Sequence, residues 1–414
     1  MTAHQHKAFE LLTAEWRAVG APKRLLLAVS GGGDSTALLH LAAALRPEAE
    51  LRVATVDHGL RPGSAEDARF AERSAGALGV EAITLRWDGP KPKTGVQAAA
   101  RAMRYRLLAR EAERWRSGAI LTAHSADDQA ETILMRLARR SGARGLAGMA
   151  AETFIADGAG PPQRLLRPLL GVRRAALGAF LSASGASHVD DPGNDDPRFE
   201  RVRVRRTLAA LGEEAATALL ALGADARRVS ALLDRLESAR LDSLGAIFRA
   251  DGSVQLPARL IAPAIDGALA ARLISAVGGT PAPAEAAAAA LAAAAGGRTS
   301  TLGGALVSRS GGAIVISREP AAVLGRKGAP RLAPVRLEPG GRCLWDGRFI
   351  VENTLGAPAE IRPLGADHPE ANAAAPGLWI GDALAAFPGD EGAGETAFES
   401  LAAERFHRRV VRHS

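Results

Sequence analysis

At 414 residues the chain is too long for one ordinary core and is expected to divide into two or three domains. Its single cysteine, Cys343, excludes an intrachain disulfide and a multi-cysteine zinc site, which suits a reducing cytoplasm. The amino terminus reads as no signal peptide, and the most apolar tract, 286–295, is too short for a bilayer, which takes ~20 apolar residues. The formal charge of +7 is carried by 47 arginines and five lysines. That balance reads equally as a polyanion-binding surface, because guanidinium forks onto phosphate, or as a bias towards Arg and Ala throughout.

The first half alternates short apolar runs with helical periodicity. Residues 24–29 read as a buried strand, followed by a glycine turn and a helix to about 45. Strands at 51–57, 80–87 and 119–123 are then separated by helices at 65–78 and 96–116, and a helix over 127–140 follows. Strands alternating with helices predict an α/β domain with a doubly wound parallel sheet. Ligands in such sheets bind beyond the carboxyl ends of the strands.

The pattern changes near 206. Residues 207–244 read as helical, with Val229, Leu232, Leu233 and Leu236 as an amphipathic stripe. A second helical stretch covers 258–295, and 298–317 read as a β-hairpin turning at Gly311-Gly312. The Pro-, Gly- and Arg-rich stretch 319–334 reads as a linker. The expected domains are therefore 1–206 catalytic, 207–318 mainly helical with a β-hairpin, and 335–414 a small β-rich module.

Ser30-Gly31-Gly32-Gly33-Asp34-Ser35 follows the first strand and opens the first helix. Three glycines permit positive φ and close approach of backbone N–H groups, and the helix amino end adds partial positive charge. Ser30 and Ser35 add hydroxyl donors. This is a pyrophosphate cradle, distinct from both GxxxxGK[ST] and GxGxxG loops. The alternative is a capped strand-to-helix turn. Asp34 would repel phosphate unless Mg²⁺ lay between them.

Four further clusters follow. Asp57 and His58 end the second strand, where they can contact nucleotide or merely build a turn at Gly59. Arg101 and Arg104 share a helix face, as a ligand contact or as a solvated basic face. His124 sits just past the fourth strand, and Asp127 and Glu131 share the face of the next helix. Paired carboxylates there can hold Mg²⁺ or accept a proton from an amine, whereas Ser125 and Asp128 fit a capping box. Finally, Asp190-Asp191-Pro192-Gly193-Asn194 precedes five arginines within 198–206. Arg201 and Arg205 among them are candidates to aim cations at phosphates.

The string 30–35 resembles the SGGxDS signature of the PP-loop ATP pyrophosphatases. Together with VDHGLR, ARAMRY, HSADDQAET, the GLAGM exit and DDPGN…RVRVRR, it makes residues 24–206 similar to the tRNA(Ile)-lysidine synthetase family. The chain departs from that family's pattern at Ser125, where many members carry a second histidine, and at Val202, where many carry asparagine. The resemblance implies a cytoplasmic enzyme using ATP with Mg²⁺, free L-lysine and the isoleucine tRNA with a CAU anticodon. It implies ATP contacts from Ser30 to Ser35, Asp57, His58 and His124, and catalytic roles for Asp34, Asp127, Glu131 and Arg205. Asp34 and Asp127 would be metal ligands, and Arg101, Arg104, Arg201 and Arg205 would contact tRNA or nucleotide. Two other readings are a PP-loop tRNA thiolation enzyme and a non-catalytic tRNA-binding protein.

Overall fold

The computed structural model describes residues 3–18, 20–44, 48–60, 63–155, 162–189, 198–258, 265–326, 331–365, 372–390 and 398–403. The chain forms two compact units, with the change from the first to the second at Leu233 and Asp234 in the long helix described below.

The first unit is built on a six-stranded sheet. In chain order its elements are α1 (Ala3–Ala18), β1 (Arg24–Ala28), α2 (Gly33–Ala43), β2 (Glu50–Asp57), α3 (Ser64–Ala77), β3 (Glu81–Arg86), α4 (Val96–Arg114), β4 (Ala119–Leu121), α5 (Ala126–Ala138), α6 (Ala143–Leu146), β5 (Glu152–Ile155), β6 (Gln163–Leu166), α7 (Arg174–Ala183) and α8 (Glu200–Ser243). The strand order is β3-β2-β1-β4-β6-β5. All pairings are parallel except β5 with β6. The doubly wound sheet expected from the sequence is therefore present, and every strand expected in it lies within a few residues of its expected bounds. α1, β5, β6 and α7 were not anticipated.

The central strand explains the layering. Leu25 and Leu27 face a core built with α1, α2 and α7, whereas Leu26 faces a second core with Tyr105, Leu108 and Trp115. Alternate residues of a strand point to opposite faces, so an uninterrupted apolar run marks a strand covered on both sides. Leu26 is fully buried, and its truncation to alanine would cost about 2–5 kcal/mol. The strand order reverses between β1 and β4, which opens a crevice at the carboxyl ends of these strands. The 30–35 loop follows β1 and His124 follows β4, so both border that crevice.

The helix α8 is broken at Gly212, which has φ 85° and ψ 177°. Among the described residues it alone combines the length and hydropathy compatible with a membrane crossing. Its Glu213, next to the break, pairs with Arg173 at 2.6 Å, tying this stretch to the sheet unit. Of the amphipathic stripe, Leu233 is half-buried. Val229, Leu232 and Leu236 are 46%, 48% and 58% exposed.

In the second unit the expected hairpin is β10 (Ala305–Ser310) with β11 (Ala313–Arg318), turning at Gly311-Gly312. It belongs to a five-stranded sheet with β7 (Ile247–Phe248), β8 (Val254–Pro257) and β9 (Ser300–Leu302), so this region holds more strand than anticipated. Two helices, α9 (Gly267–Gly278) and α10 (Ala284–Ala295), share its core. The stretch read as a linker carries a short helix, α11 (Ala321–Leu324), whose Val323 is fully buried. The remainder holds a four-stranded and a three-stranded sheet, and Cys343 is buried in their core.

Candidate active site

The glycine-rich loop is a braced turn at the head of α2. Gly31 alone of its three glycines has positive φ, at 87°. A Cβ there would lie 3.3 Å from the Phe70 ring and 3.4 Å from the Asp67 carbonyl, so both conformation and space require glycine. Gly32 is the N-cap in extended geometry, at φ −70° and ψ 162°. Ser35 Oγ donates to the Gly32 carbonyl at 2.9 Å and accepts from the Ser30 N–H at 3.2 Å. Ser30 Oγ lies 3.2 Å from Ser35 Oγ. The serine hydroxyls thus brace the loop itself, leaving the backbone N–H groups at the start of α2 as its anion donors. The backbone of Val189 donates to the Gly31 carbonyl at 2.9 Å, and the His188 ring lies 3.5 Å from where a Gly33 Cβ would stand. The 188–189 segment therefore runs against the loop. Asp190 to Asn194, singled out in the sequence, lie outside the described residues.

Asp34 opens onto a network of four carboxylates and four arginines. Arg174 Nε donates to Asp34 Oδ2 at 3.1 Å and its Nη2 to Asp128 Oδ1 at 3.0 Å. Its Nη1 lies 3.5 Å from Glu131 Oε1. Arg201 donates to Glu131 Oε2 at 2.7 Å and to Asp128 Oδ1 at 3.0 Å, and Arg205 to Glu131 Oε1 at 3.0 Å. Arg173 binds Asp127 Oδ1 at 3.0 Å, and the backbone N–H of Arg174 donates to Asp127 Oδ2 at 2.6 Å. Glu131 is 1% exposed. An ionised carboxylate at that depth is tolerated only with such partners.

These contacts revise the expectation of an open carboxylate pair. Asp127 and Glu131 do share a face of α5, but both oxygens of each are already held by arginine side chains or by the α7 amino end. Asp128 serves as the anticipated cap as well: its Oδ2 accepts from the Ser125 N–H at 2.8 Å and from Ser125 Oγ at 3.1 Å. Asp34 differs. Its Oδ1 has no hydrogen bond among the described residues. Burial raises its pKa, helped by Asp128 and Asp127 and only partly offset by Arg174. Its ionised form is therefore only partly compensated by Arg174.

His124 lies within reach of the charge of Arg201 in this network. Its Nδ1 is 2.9 Å from Thr122 Oγ1. Burial, then the charges of Arg167, Arg104, Arg101 and Arg201, push its pKa well down, so the ring is neutral at physiological pH. Arg101 and Arg104 lie over the Tyr105 ring, at 5.1 and 5.2 Å from its centroid. Asp57 Oδ1 accepts from the Gly59 N–H at 2.9 Å, as the turn reading required. His58 meets Trp87 edge-on at 6.1 Å, and burial followed by the Arg104 charge lowers its pKa.

Four arginine-associated residues here carried no role in the sequence reading: Arg167, Arg173, Arg174 and Tyr105. Arg167 follows β6, whose carboxyl end lies beside that of β4. The strand-end rule points to it once β6 is recognised. A cavity of about 560 Å³ opens beside α5, lined among others by Gln129, Met149, Leu170, Arg173, Glu213 and Arg227.

The PP-loop domain family matches residues 2–211. A tRNA(Ile)-lysidine synthase from Methylobacterium nodulans is 44% identical over 275 residues, covering 65% of this chain and 80% of that protein. One from Ruegeria pomeroyi is 38% identical over 364 residues, covering 83% of this chain and 80% of its own length. One from Rhodopseudomonas palustris is 48% identical over 229 residues, covering 54% and 64%.

Proposed function

The chain belongs to the tRNA(Ile)-lysidine synthase family of PP-loop proteins, and from that membership we propose that it joins L-lysine to carbon two of the wobble cytidine in the CAU-anticodon isoleucine tRNA, at the expense of ATP. The observation that carries the reading within this chain is Asp34. It is an under-compensated carboxylate at the rim of an anion-binding loop, joined through Arg174 to the carboxylates of α5.

In this reaction the cytosine O2 attacks the α-phosphate of ATP and pyrophosphate leaves. The lysine ε-amine then adds at carbon two and AMP departs. The start of α2 and the 30–35 loop hold the pyrophosphate portion, where preorganised N–H donors stabilise the leaving group. Mg²⁺ fits Asp34, because this ion is commonly held by one or two carboxylates together with substrate phosphates. It would offset the repulsion between Asp34 and phosphate and draw charge from the leaving group. Asp127 does not fit as a second ligand, since Arg173 and the α7 backbone occupy its oxygens. No group of three or more His, Cys, Asp or Glu side chains fit for a metal occurs among the described residues.

Glu131 and Asp127 act through arginines. Glu131 holds Arg174, Arg201 and Arg205 in place, and Arg201 and Arg205 are the candidates among them to meet the reacting phosphate and the RNA. His124, Asp57 and His58 border the nucleotide. The cavity beside α5 is the candidate amino-acid site; Arg173 and Glu213 on its wall are already paired with each other, so an amino acid there would have to exchange that ion pair for contacts to its own carboxylate and α-ammonium. The ε-ammonium, with a reference pKa of about 10.4, must lose a proton before it attacks.

Thiolation is the weaker reading. Cys343, the only cysteine, is buried in the second unit's core, and one such thiol cannot form the intramolecular pair that persulfide chemistry often uses. A purely RNA-binding role leaves Asp34 without a purpose, because a phosphate cradle alone gains nothing from a carboxylate. The test is the stoichiometry of pyrophosphate and AMP release in the presence and absence of tRNA and lysine. Release requiring both tRNA and lysine for turnover supports the reading. Release independent of lysine, and unaccompanied by its incorporation, contradicts it.

A further inference from the structure

The arginines around the site fall into two sets. Arg173, Arg174, Arg201 and Arg205 are paired with Asp34, Asp127, Asp128, Glu131 and Glu213, four cations against five anions. Arg101, Arg104 and Arg167 have no ion pair among the described residues, yet they converge. The charges of all three bear on His124 and on Tyr105. Arg101 and Arg104 flank the Tyr105 ring, and the Tyr105 hydroxyl lies beside Arg104 and Arg167. Arg167 is only 4% exposed. Its Nη1 is anchored to the Ala150 carbonyl at 2.8 Å and to Thr153 Oγ1 at 3.2 Å, but its Nε is buried with no hydrogen-bond partner among the described residues.

A buried guanidinium without a carboxylate is costly, and two more cations beside it raise that cost. An arriving oxyanion would relieve it. We propose that Arg101, Arg104, Arg167 and the Tyr105 hydroxyl form a phosphate subsite separate from the glycine-rich loop, taking a phosphate oxyanion of the bound substrates. Arginine forks give several donors in fixed geometry, and the phenol can donate its proton to the same phosphate. The neutral ring of His124 beside them adds a hydrogen-bonding group without adding further positive charge. The proposal rests on the functional reading above in one respect only, namely that the phosphate belongs to ATP or to the RNA backbone.

The test compares the parent chain with Arg167→Gln and Tyr105→Phe by two binding titrations that need no turnover. One uses ATP alone, and the other an anticodon stem-loop RNA at several salt concentrations. If the phosphate is a backbone phosphodiester, Arg167→Gln weakens RNA binding about tenfold and flattens the salt slope by about one, with ATP binding unchanged. If it is a nucleotide phosphate, ATP binding weakens about tenfold and the RNA salt slope is unchanged. Tyr105→Phe should give a smaller loss in the same titration. Should Arg167→Gln fail to fold, Arg101→Gln combined with Arg104→Gln, on the outer side of the cluster, gives the same two readings. Folded variants that bind both probes as the parent does overturn the subsite. A parent enzyme that shows these binding differences but makes no lysine-containing RNA retains the subsite and refutes the functional reading instead.

Discussion

Arg174 Nε lies 3.1 Å from Asp34 Oδ2, joining residues 140 apart in sequence and linking the amino ends of α2 and α7. The same guanidinium reaches Asp128 and Glu131 on α5. One side chain therefore sets the position of the phosphate-loop carboxylate relative to the carboxylates of the next helix. Arg174→Ala should lower stability by ~2 kcal/mol, a value for a charge-assisted network discounted for partial exposure. Pyrophosphate release should fall by a larger factor than stability implies. Arg174→Lys keeps the charge but lacks the fork, so it should recover stability more than turnover. Thermal melts and single-turnover release on both variants check this. A lysine variant with parental turnover would show that only the charge matters.

Asp34→Asn separates fold from chemistry. Because burial raises the Asp34 pKa, the charged form is disfavoured in the folded protein relative to the unfolded chain. That penalty is present above the folded value and vanishes as pH falls below the unfolded one. The asparagine variant should therefore melt no lower than the parent at neutral pH, with any advantage shrinking through the acidic range. Its Mg²⁺-dependent pyrophosphate release should be lost. Parental release would remove Asp34 from the metal role.

For Glu131→Gln the geometry predicts loss of both half-reactions. Removing the charge leaves Arg174, Arg201 and Arg205 short of a partner, at a cost of about 3 kcal/mol. Adenylation of the RNA and lysine transfer should decline together. Accumulation of adenylated RNA, seen by mass, would instead show that Glu131 meets the lysine amine.

Gly32→Val is a clean probe of the loop. Its backbone conformation suits a β-branched residue, and a Cβ there would come no nearer than 3.7 Å to the protein, at Ser30 Oγ. The variant should fold and melt as the parent does, yet bind ATP at least tenfold more weakly, because the side chain enters the phosphate cradle. Calorimetric titration with ATP measures this, and unchanged affinity would move the phosphates elsewhere.

The parallel sheet was legible because its strands are uninterrupted apolar runs such as Leu25–Leu27, bounded by turn residues. β6 was not, since Gln163 and Arg164 leave only Leu165 and Leu166 as its apolar signal. Missing it concealed Arg167, Arg173 and Arg174. The loop, His124 and the α5 carboxylates were legible from spacing. What spacing could not give was occupancy: Asp127 and Glu131 share a helix face, but only tertiary structure reveals that Arg173 with the amino end of α7, and the arginines of α8, already fill their oxygens. For the stripe Val229, Leu232 and Leu236, periodicity identified an apolar face without saying whether anything packs on it, and all three are exposed.

The most direct test of the central claim is the mass of the wobble nucleoside after the purified chain is incubated with ATP, Mg²⁺, isotopically labelled L-lysine and the CAU-anticodon isoleucine tRNA. The predicted result is a gain equal to lysine less one water, carrying the label and located on the wobble cytidine. An unlabelled base, or a gain equal to the replacement of oxygen by sulfur, would contradict it.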